Sequence, residues 1–173
     1  EQVTLATLPH HRAVVEGEMI GTVKVIPFAV AEKTVLRAMD AFPSRALKVA
    51  PFKPKRIAVI STLLPGLKSS TVEKTLRVMS ERMAPAGAQI IADERVPHEQ
   101  GALGAAIKKY RDTCDLMIVF GASAITDRRD VIPAALVEAG GVVEQFGMPV
   151  DPGNLLLIGT IAGKSFLGAP GCA

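Results

Sequence analysis

The chain has 173 residues, of which 49% are apolar, so it is long enough to bury one core and carry a small appendage. Its net charge is only +3, from 20 Lys and Arg against 17 Asp and Glu, which excludes the concentrated basic surface that nucleic-acid binding requires. Its apolar runs, such as residues 116–120 and 155–158, are far shorter than the roughly 20 residues of a membrane span, so we expect no membrane partner.

The two cysteines, Cys114 and Cys172, are too few for a disulfide framework and favour a reducing compartment. We therefore predict a cytoplasmic protein. Glu1 stands where an initiator methionine would be, so we expect the chain to be part of a longer gene product.

Residues 1–50 are predicted to form a small β-rich appendage with one helix. Strand-like patterns occur over residues 3–8 and 13–30, and Pro27 favours an edge strand or the end of a strand. Residues 31–42 have helical periodicity. Several prolines follow, so we place the boundary to the next domain near residues 43–54.

Residues 55–173 alternate between strand and helix patterns. Strands are predicted at residues 56–60, 88–92 and 116–120, and helices from Ser70 with a Ser70–Glu73 capping box, over residues 99–113, and from Val131 to a Gly140–Gly141 stop. After Gly141 the pattern is all β, with at least one hairpin. This alternation predicts a three-layer α/β/α domain with a mostly parallel sheet.

Several catalytic motifs are unsupported by the sequence. Three residues separate Gly159 from Gly163 before Lys164-Ser165, whereas a phosphate-binding P-loop has four, so we reject a P-loop there. The three histidines lack metal-ligand spacing, and we expect His98 to be solvated. No G-x-S-x-G elbow supports a Ser-His-Asp triad.

Three loops follow the predicted parallel strands, at residues 61–66, 93–98 and 121–130. Such loops converge on one crevice at the carboxyl edge of an open sheet, which makes Ser61 and Thr62 candidate ligand contacts. The candidate ligand-binding set also contains small and polar residues of the third loop and of a helix start, whose backbone N–H groups suit a phosphate, namely Ser69, Ser70, Gly121, Ala122 and Ser123.

Asp130 has two open interpretations. It can cap the helix that begins at Val131. Alternatively, together with Asp127 and the pair Arg128-Arg129, it suits a site for magnesium and phosphate.

The segment GASAITDRRDVIPAA, which follows the third strand, resembles the G-G-T-G-L-x-x-R-D-V-T-P signature of the molybdopterin-binding family. That family includes molybdopterin adenylyltransferases and molybdotransferases. The terminal residues 167–171 resemble its L-P-G loop, which adds Gly168, Pro170 and Gly171 to the candidate ligand-binding residues. The resemblance covers residues 55–173, and residues 1–50 resemble the preceding region of a longer molybdopterin-binding protein.

The resemblance implies molybdopterin as ligand, with Mg²⁺ and ATP or CTP as cofactors. It implies Asp130 as the catalytic acidic residue and as a metal ligand. It also implies that the chain forms a homo-oligomer. A nucleotidyltransferase domain, fused to this chain in the same gene product, is a further candidate partner.

This chain departs from the family pattern at several positions. Ala122 and Ala124 replace glycines of the loop, and His98 stands where an Asp is common. Leu63-Leu64 replaces an acidic dipeptide. Three functions therefore stay open: nucleotidyl or molybdate transfer to molybdopterin, a non-catalytic pterin-binding or sensing module, and a nucleotide pyrophosphatase.

Overall fold

The computed structural model describes residues 2–42, 47–53, 55–151 and 153–170. The chain divides into two compact units, Glu1–Ala50 and Pro51–Ala173. Among the described residues, no helix combines the length and apolarity needed to cross a bilayer.

The first unit contains a two-stranded antiparallel sheet and one helix. Strand β1 (Val3–Thr7) pairs with β2 (Gly21–Val25), and helix α1 spans Glu32–Ala41. The prediction of strand over residues 13–30 is therefore only partly correct. The chain reverses before β2, and Gly17 adopts a positive φ of 85°, so residues 13–20 form turns and irregular backbone instead.

The second unit is built on a six-stranded sheet with the order β4-β3-β5-β8-β7-β6. Neighbours among β4, β3, β5 and β8 are parallel, whereas β7 is antiparallel to both β8 and β6. The predicted mostly parallel α/β sheet is confirmed. The strands are β3 (Arg56–Leu63), β4 (Gln89–Pro97), β5 (Leu116–Phe120), β6 (Val142–Phe146), β7 (Leu157–Ile161) and β8 (Lys164–Ala169).

Three further helices cover the two faces of this sheet: α2 (Ser69–Met83), α3 (Gln100–Tyr110) and α4 (Val131–Glu138). Alternate residues of a strand point to opposite faces. Along β3, Ile57 and Val59 pack in a core with Met79 of α2. Their neighbours Ala58 and Ile60 pack in a second core with residues of α3 and α4. The domain therefore has the predicted three layers, with α2 on one side and α3 and α4 on the other.

Strand β4 differs from its prediction. It is not a short buried strand over residues 88–92 but a longer edge strand that continues to Pro97, with alternating exposed and half-buried residues. An edge strand with one solvated face accepts polar residues such as Asp93 and Arg95. Most of the predicted loop over residues 93–98 is consequently strand, and only His98 and Glu99 connect it to α3.

The predicted capping box at the start of α2 is wrong. The helix begins at Ser69, its N-cap residue is Lys68, and no side chain caps it. The rejected P-loop segment is a β-hairpin instead: Ala162 and Gly163 form the two-residue turn between β7 and β8, with positive φ angles of 49° and 71°.

Candidate functional site

A cavity of about 390 Å³ lies between α2 and the carboxyl ends of β3 and β5. None of the side chains that line it is charged. The lining residues are Ser61, Thr62, Leu67, Thr71, Val72, Thr75, Phe120, Gly121, Ala122, Ser123 and Ala124.

The structure brings together part of the predicted ligand-binding set. Five predicted residues line the cavity, namely Ser61, Thr62, Gly121, Ala122 and Ser123. Ser69 and Ser70 lie in the exposed first turn of α2 and are not among the lining residues. The segment from Asp127 to Asp130, which includes Arg128 and Arg129, forms the second half of the loop, also outside the lining.

Ser61 presents a polar group at the floor of the cavity. Ser61 is only 4% exposed, and it lines the cavity at the end of β3. It is therefore a candidate polar contact for a ligand there.

Thr62 is the centre of a hydrogen-bond network that fixes the loop after β5. This residue is 2% exposed, and its Oγ1 accepts the Ala122 N–H at 2.9 Å and lies 3.2 Å from the Phe120 carbonyl oxygen. Its third partner is Nδ1 of His98 at 2.8 Å. A hydroxyl has one proton and two lone pairs. Its single proton can go to the Phe120 carbonyl or to His98 Nδ1, and the tautomer of His98 decides which of the two accepts it.

His98 is a residue of this hydrogen-bond network that the sequence interpretation missed. The expectation that it is solvated is wrong, because it is half-buried and bridges Thr62 and Ser123. Its Nε2 lies 3.1 Å from Ser123 Oγ. The available signal was its position directly after β4: its N–H donates to the Leu63 carbonyl, which places it beside Thr62.

Asp130 organises the second half of the loop. Its Oδ2 accepts the Thr126 N–H at 2.6 Å, the Asp127 N–H at 2.9 Å and the Thr126 hydroxyl at 3.2 Å. These bonds, led by that of the Asp127 N–H, lower the pKa of the Asp130 carboxyl. Asp130 occupies the N-cap position of α4, but its side chain does not cap the helix.

The neighbouring charges are paired within the loop. Asp127 Oδ1 accepts from Arg129 Nε at 3.1 Å and from the Arg129 N–H at 2.7 Å, and these bonds lower the pKa of the Asp127 carboxyl. The Arg128 guanidinium lies over the ring of Phe146, 5.6 Å from its centroid.

No family profile matches the sequence, and no curated protein sequence matches it. Solved structures do match. The structure of CinA, a protein with unknown function from Thermoplasma acidophilum, superposes with a TM-score of 0.55 at 15% identity, over 68% of this chain and 89% of that chain. The structure of molybdenum cofactor biosynthesis protein B superposes with a TM-score of 0.51 at 18% identity, over 71% of this chain and 83% of that chain.

The chain shares the fold of molybdenum cofactor biosynthesis protein B. A further match is the molybdopterin biosynthesis moea protein from Pyrococcus horikosii, with a TM-score of 0.48 and 23% identity, over 69% of this chain. The match spans only 31% of that longer protein.

The segment that resembles an L-P-G loop is mostly strand. β8 extends to Ala169, so the expectation of a loop over residues 167–169 is wrong. A Cβ at Gly168 would lie 3.1 Å from Ile132 Cγ2 and 3.3 Å from Leu157 Cβ, so this glycine permits α4 to pack on the sheet. Pro170 is buried directly after the strand, and the predicted contact Gly171 lies outside the described residues.

The loop around Asp130 meets only part of what a Mg²⁺ site requires. The described residues contain no group of three or more His, Cys, Asp or Glu side chains that could hold a metal ion. Mg²⁺ is commonly bound by one or two carboxylates together with substrate phosphates and waters. Asp130, whose Oδ1 accepts no hydrogen bond from a described group, fits a Mg²⁺ ion that arrives with a phosphate ligand, but not a dedicated protein cage.

We expect Asp130→Ala to loosen the loop without unfolding the domain. The Thr126 and Asp127 N–H groups lose their acceptor, so their hydrogen exchange should accelerate by roughly tenfold, as measured by NMR. Asp130→Asn, which retains one acceptor oxygen, is the matched control and should give an intermediate rate. Unchanged exchange in Asp130→Ala would show that other contacts hold the loop.

The lowered pKa of Asp130 sets the pH dependence of the same amides. A carboxyl whose folded-state pKa lies below its unfolded value stabilises the loop fully above the unfolded value, and this stabilisation is lost as the pH falls through the folded value. The two amide resonances should therefore shift together on acidification.

Proposed function

We propose that residues 51–173 bind a phosphorylated pterin, molybdopterin, and serve molybdenum cofactor biosynthesis. The observation that carries this proposal is the cavity at the carboxyl ends of β3 and β5, with a small-residue loop as one wall and α2 as the other. Its volume of about 390 Å³ is in the usual range for a small-molecule site. The similarity of the fold to a molybdenum cofactor biosynthesis protein supports the choice of ligand.

Backbone groups supply the phosphate end of the proposed site. The N–H groups of Ser123, Ala124 and Ile125 donate no hydrogen bond to any described residue, whereas that of Ala122 is used by Thr62. Consecutive N–H groups in a loop hold phosphate oxygens without a charged side chain. The Ser61 hydroxyl adds one further donor at the cavity floor.

Helix α2 supports an anion in the same region. It has 15 residues and no acidic residue in its first turn, so its positive dipole end is not neutralised by its own sequence. Leu67, Val72 and Phe120 provide apolar surface for a flat heterocycle, and Thr71 and Thr75 add hydroxyl groups.

The charge of the ligand can be tested at Ala124, an exposed residue of the cavity wall. We expect Ala124→Glu to weaken molybdopterin binding at least about tenfold, because the new carboxylate repels the phosphate. Ala124→Gln is the matched control, since it has the same size without the charge. Anaerobic titration calorimetry measures both.

Two results would contradict the proposal: wild-type protein that does not bind molybdopterin, and equal losses in the Glu and Gln variants. Equal losses would mean that the larger side chain at residue 124 excludes the ligand by its size alone, and that no anionic group of the ligand binds beside it.

We propose binding rather than transfer as the function of this unit. The cavity lining has no charged side chain, and Asp127 and Asp130 lie outside it, with Asp127 Oδ1 and Asp130 Oδ2 accepting hydrogen bonds within their own loop. Incubation of molybdopterin with Mg²⁺ and ATP or CTP separates the alternatives. Binding without turnover identifies a pterin-holding or sensing module, and turnover that Asp130→Asn abolishes identifies a transferase. Release of AMP from ADP-ribose would identify a nucleotide pyrophosphatase.

A homo-oligomeric state, a fused nucleotidyltransferase domain and a cytoplasmic location stay predictions. Size-exclusion chromatography with light scattering tests the oligomeric state directly.

A further inference from the structure

We propose that Ser123 is a nucleophile activated by His98, with Thr62 as the positioning residue, and that it cleaves uncharged carboxylic esters bound in the cavity. Ser123 Oγ lies 3.1 Å from His98 Nε2, and His98 Nδ1 lies 2.8 Å from Thr62 Oγ1. A hydroxyl within reach of a base that is itself oriented by a third group is the arrangement of an activated nucleophile. This activity does not rest on the binding of a pterin.

The protons of the network set the direction of transfer. The proposal assigns the His98 hydrogen to Nδ1, which then donates to Thr62 Oγ1, while the Thr62 proton goes to the Phe120 carbonyl and His98 Nε2 keeps its lone pair. Ser123 has two acceptors for its proton, His98 Nε2 at 3.1 Å and the Ala124 carbonyl at 3.4 Å. In this tautomer Nε2 is unprotonated and within hydrogen-bond reach of Ser123 Oγ, so the imidazole is the base for this hydroxyl.

The surroundings of Ser123 suit an uncharged ester. The residue is exposed and lines the cavity, so a substrate carbonyl can reach its oxygen. The N–H groups of Ala124 and Ile125, which donate to no described residue, can stabilise an oxyanion beside it. Leu67, Val72 and Phe120 give the cavity apolar surface that can hold the acyl or alcohol group of an uncharged ester.

The reaction balances without a further reagent. Ser123 Oγ bonds to the ester carbonyl carbon while its proton moves to His98 Nε2. The bond from that carbon to the alcohol oxygen then breaks, and Nε2–H protonates the departing alcohol. Water attacks the acylated Ser123, again with Nε2 as base, and releases a carboxylic acid and free Ser123.

The test uses the complete 173-residue chain, a fluorophosphonate probe and 4-nitrophenyl acetate. The probe forms an Oγ–P bond on an activated serine with loss of fluoride. We expect one adduct per chain, mapped to Ser123 by mass spectrometry, and ester hydrolysis that Ser123→Ala abolishes. His98→Gln should slow both reactions at least about 100-fold, because it removes the base.

Matched variants separate activation from loss of structure. Thr62→Val should slow labelling, and Thr62→Ser should restore it, because only the hydroxyl orients His98. Ser80→Ala, an exposed serine of α2 outside the cavity lining, should label like the wild type. Absence of labelling in the wild type, labelling that persists in Ser123→Ala, or an unchanged rate in His98→Gln would each overturn the proposal. Pterin binding is measured separately, so failure of one proposal leaves the other intact.

Discussion

Thr62→Val should lower the free energy of unfolding by about 1–3 kcal/mol, although the two side chains have nearly the same shape. Thr62 is 2% exposed, and its hydroxyl is the acceptor for the Ala122 N–H. Valine leaves that N–H without its partner at a partly buried position, and the cost is that of an unsatisfied donor. Urea unfolding with an unchanged denaturant slope measures the difference.

Thr62→Ser is the matched control for this substitution. Serine keeps the hydroxyl and loses one methyl group, which costs about 1 kcal/mol. The two variants also differ at His98. In wild type and in Thr62→Ser, ¹⁵N spectra of the imidazole should show a protonated Nδ1, whereas Thr62→Val should lose this preference. Identical imidazole spectra in all three proteins would contradict the role given to the hydroxyl.

The fold could be predicted from local sequence because its central strands are buried on both faces. Ile57 to Ile60 are 0% exposed, and a strand covered on both sides is a continuous apolar run. The end of β4 was harder to predict, because an edge strand alternates polar and apolar residues and its polar end resembles a loop in sequence.

The candidate site was predicted where its residues stand at the end of a buried strand, as Ser61 and Thr62 do at the end of β3. The small residues Gly121, Ala122 and Ser123 were recognised from their place after a buried strand, and the structure puts them in the cavity wall. The hydrogen-bond partners in this network could not be predicted in this way. His98 is 25 residues from Ser123 and 36 residues from Thr62, and Thr62 is 60 residues from Ala122. Only the strand register brings these residues together.

Asp130 shows a second limit of local patterns. Its position before α4 matches an N-cap, yet its carboxylate turns back to Thr126 and Asp127. Both arrangements place an acidic residue before a helix, so the sequence does not separate them. The structure does, because it shows which N–H groups the oxygen accepts.

Gly159→Ala should destabilise the domain by about 3 kcal/mol, because β7 has no room for a methyl group at this position. A Cβ there would overlap the Val142 carbonyl of β6 and lie 2.8 Å from Leu136 Cδ2 of α4. The first of these contacts is backbone in a paired strand, so the neighbour cannot rotate away as a side chain would. Thermal unfolding should show the loss as a drop of several degrees in Tm, roughly 2–4 °C per kcal/mol for a chain of this length.

Gly101→Ala is the control substitution, and it should raise the stability of the domain instead of lowering it. Gly101 lies in the first turn of α3 and is exposed, and an alanine methyl group there would have no neighbouring atom within 4 Å. Alanine should therefore stabilise the domain by about 0.5–1 kcal/mol through helix propensity.

Gly159 is also connected to the candidate site through the sheet. β7 pairs with β8, and the Ala169 carbonyl at the end of β8 accepts the Gly121 N–H at 2.8 Å. A Gly159→Ala protein that is as stable as wild type would mean that β6 moves away from β7 at little cost.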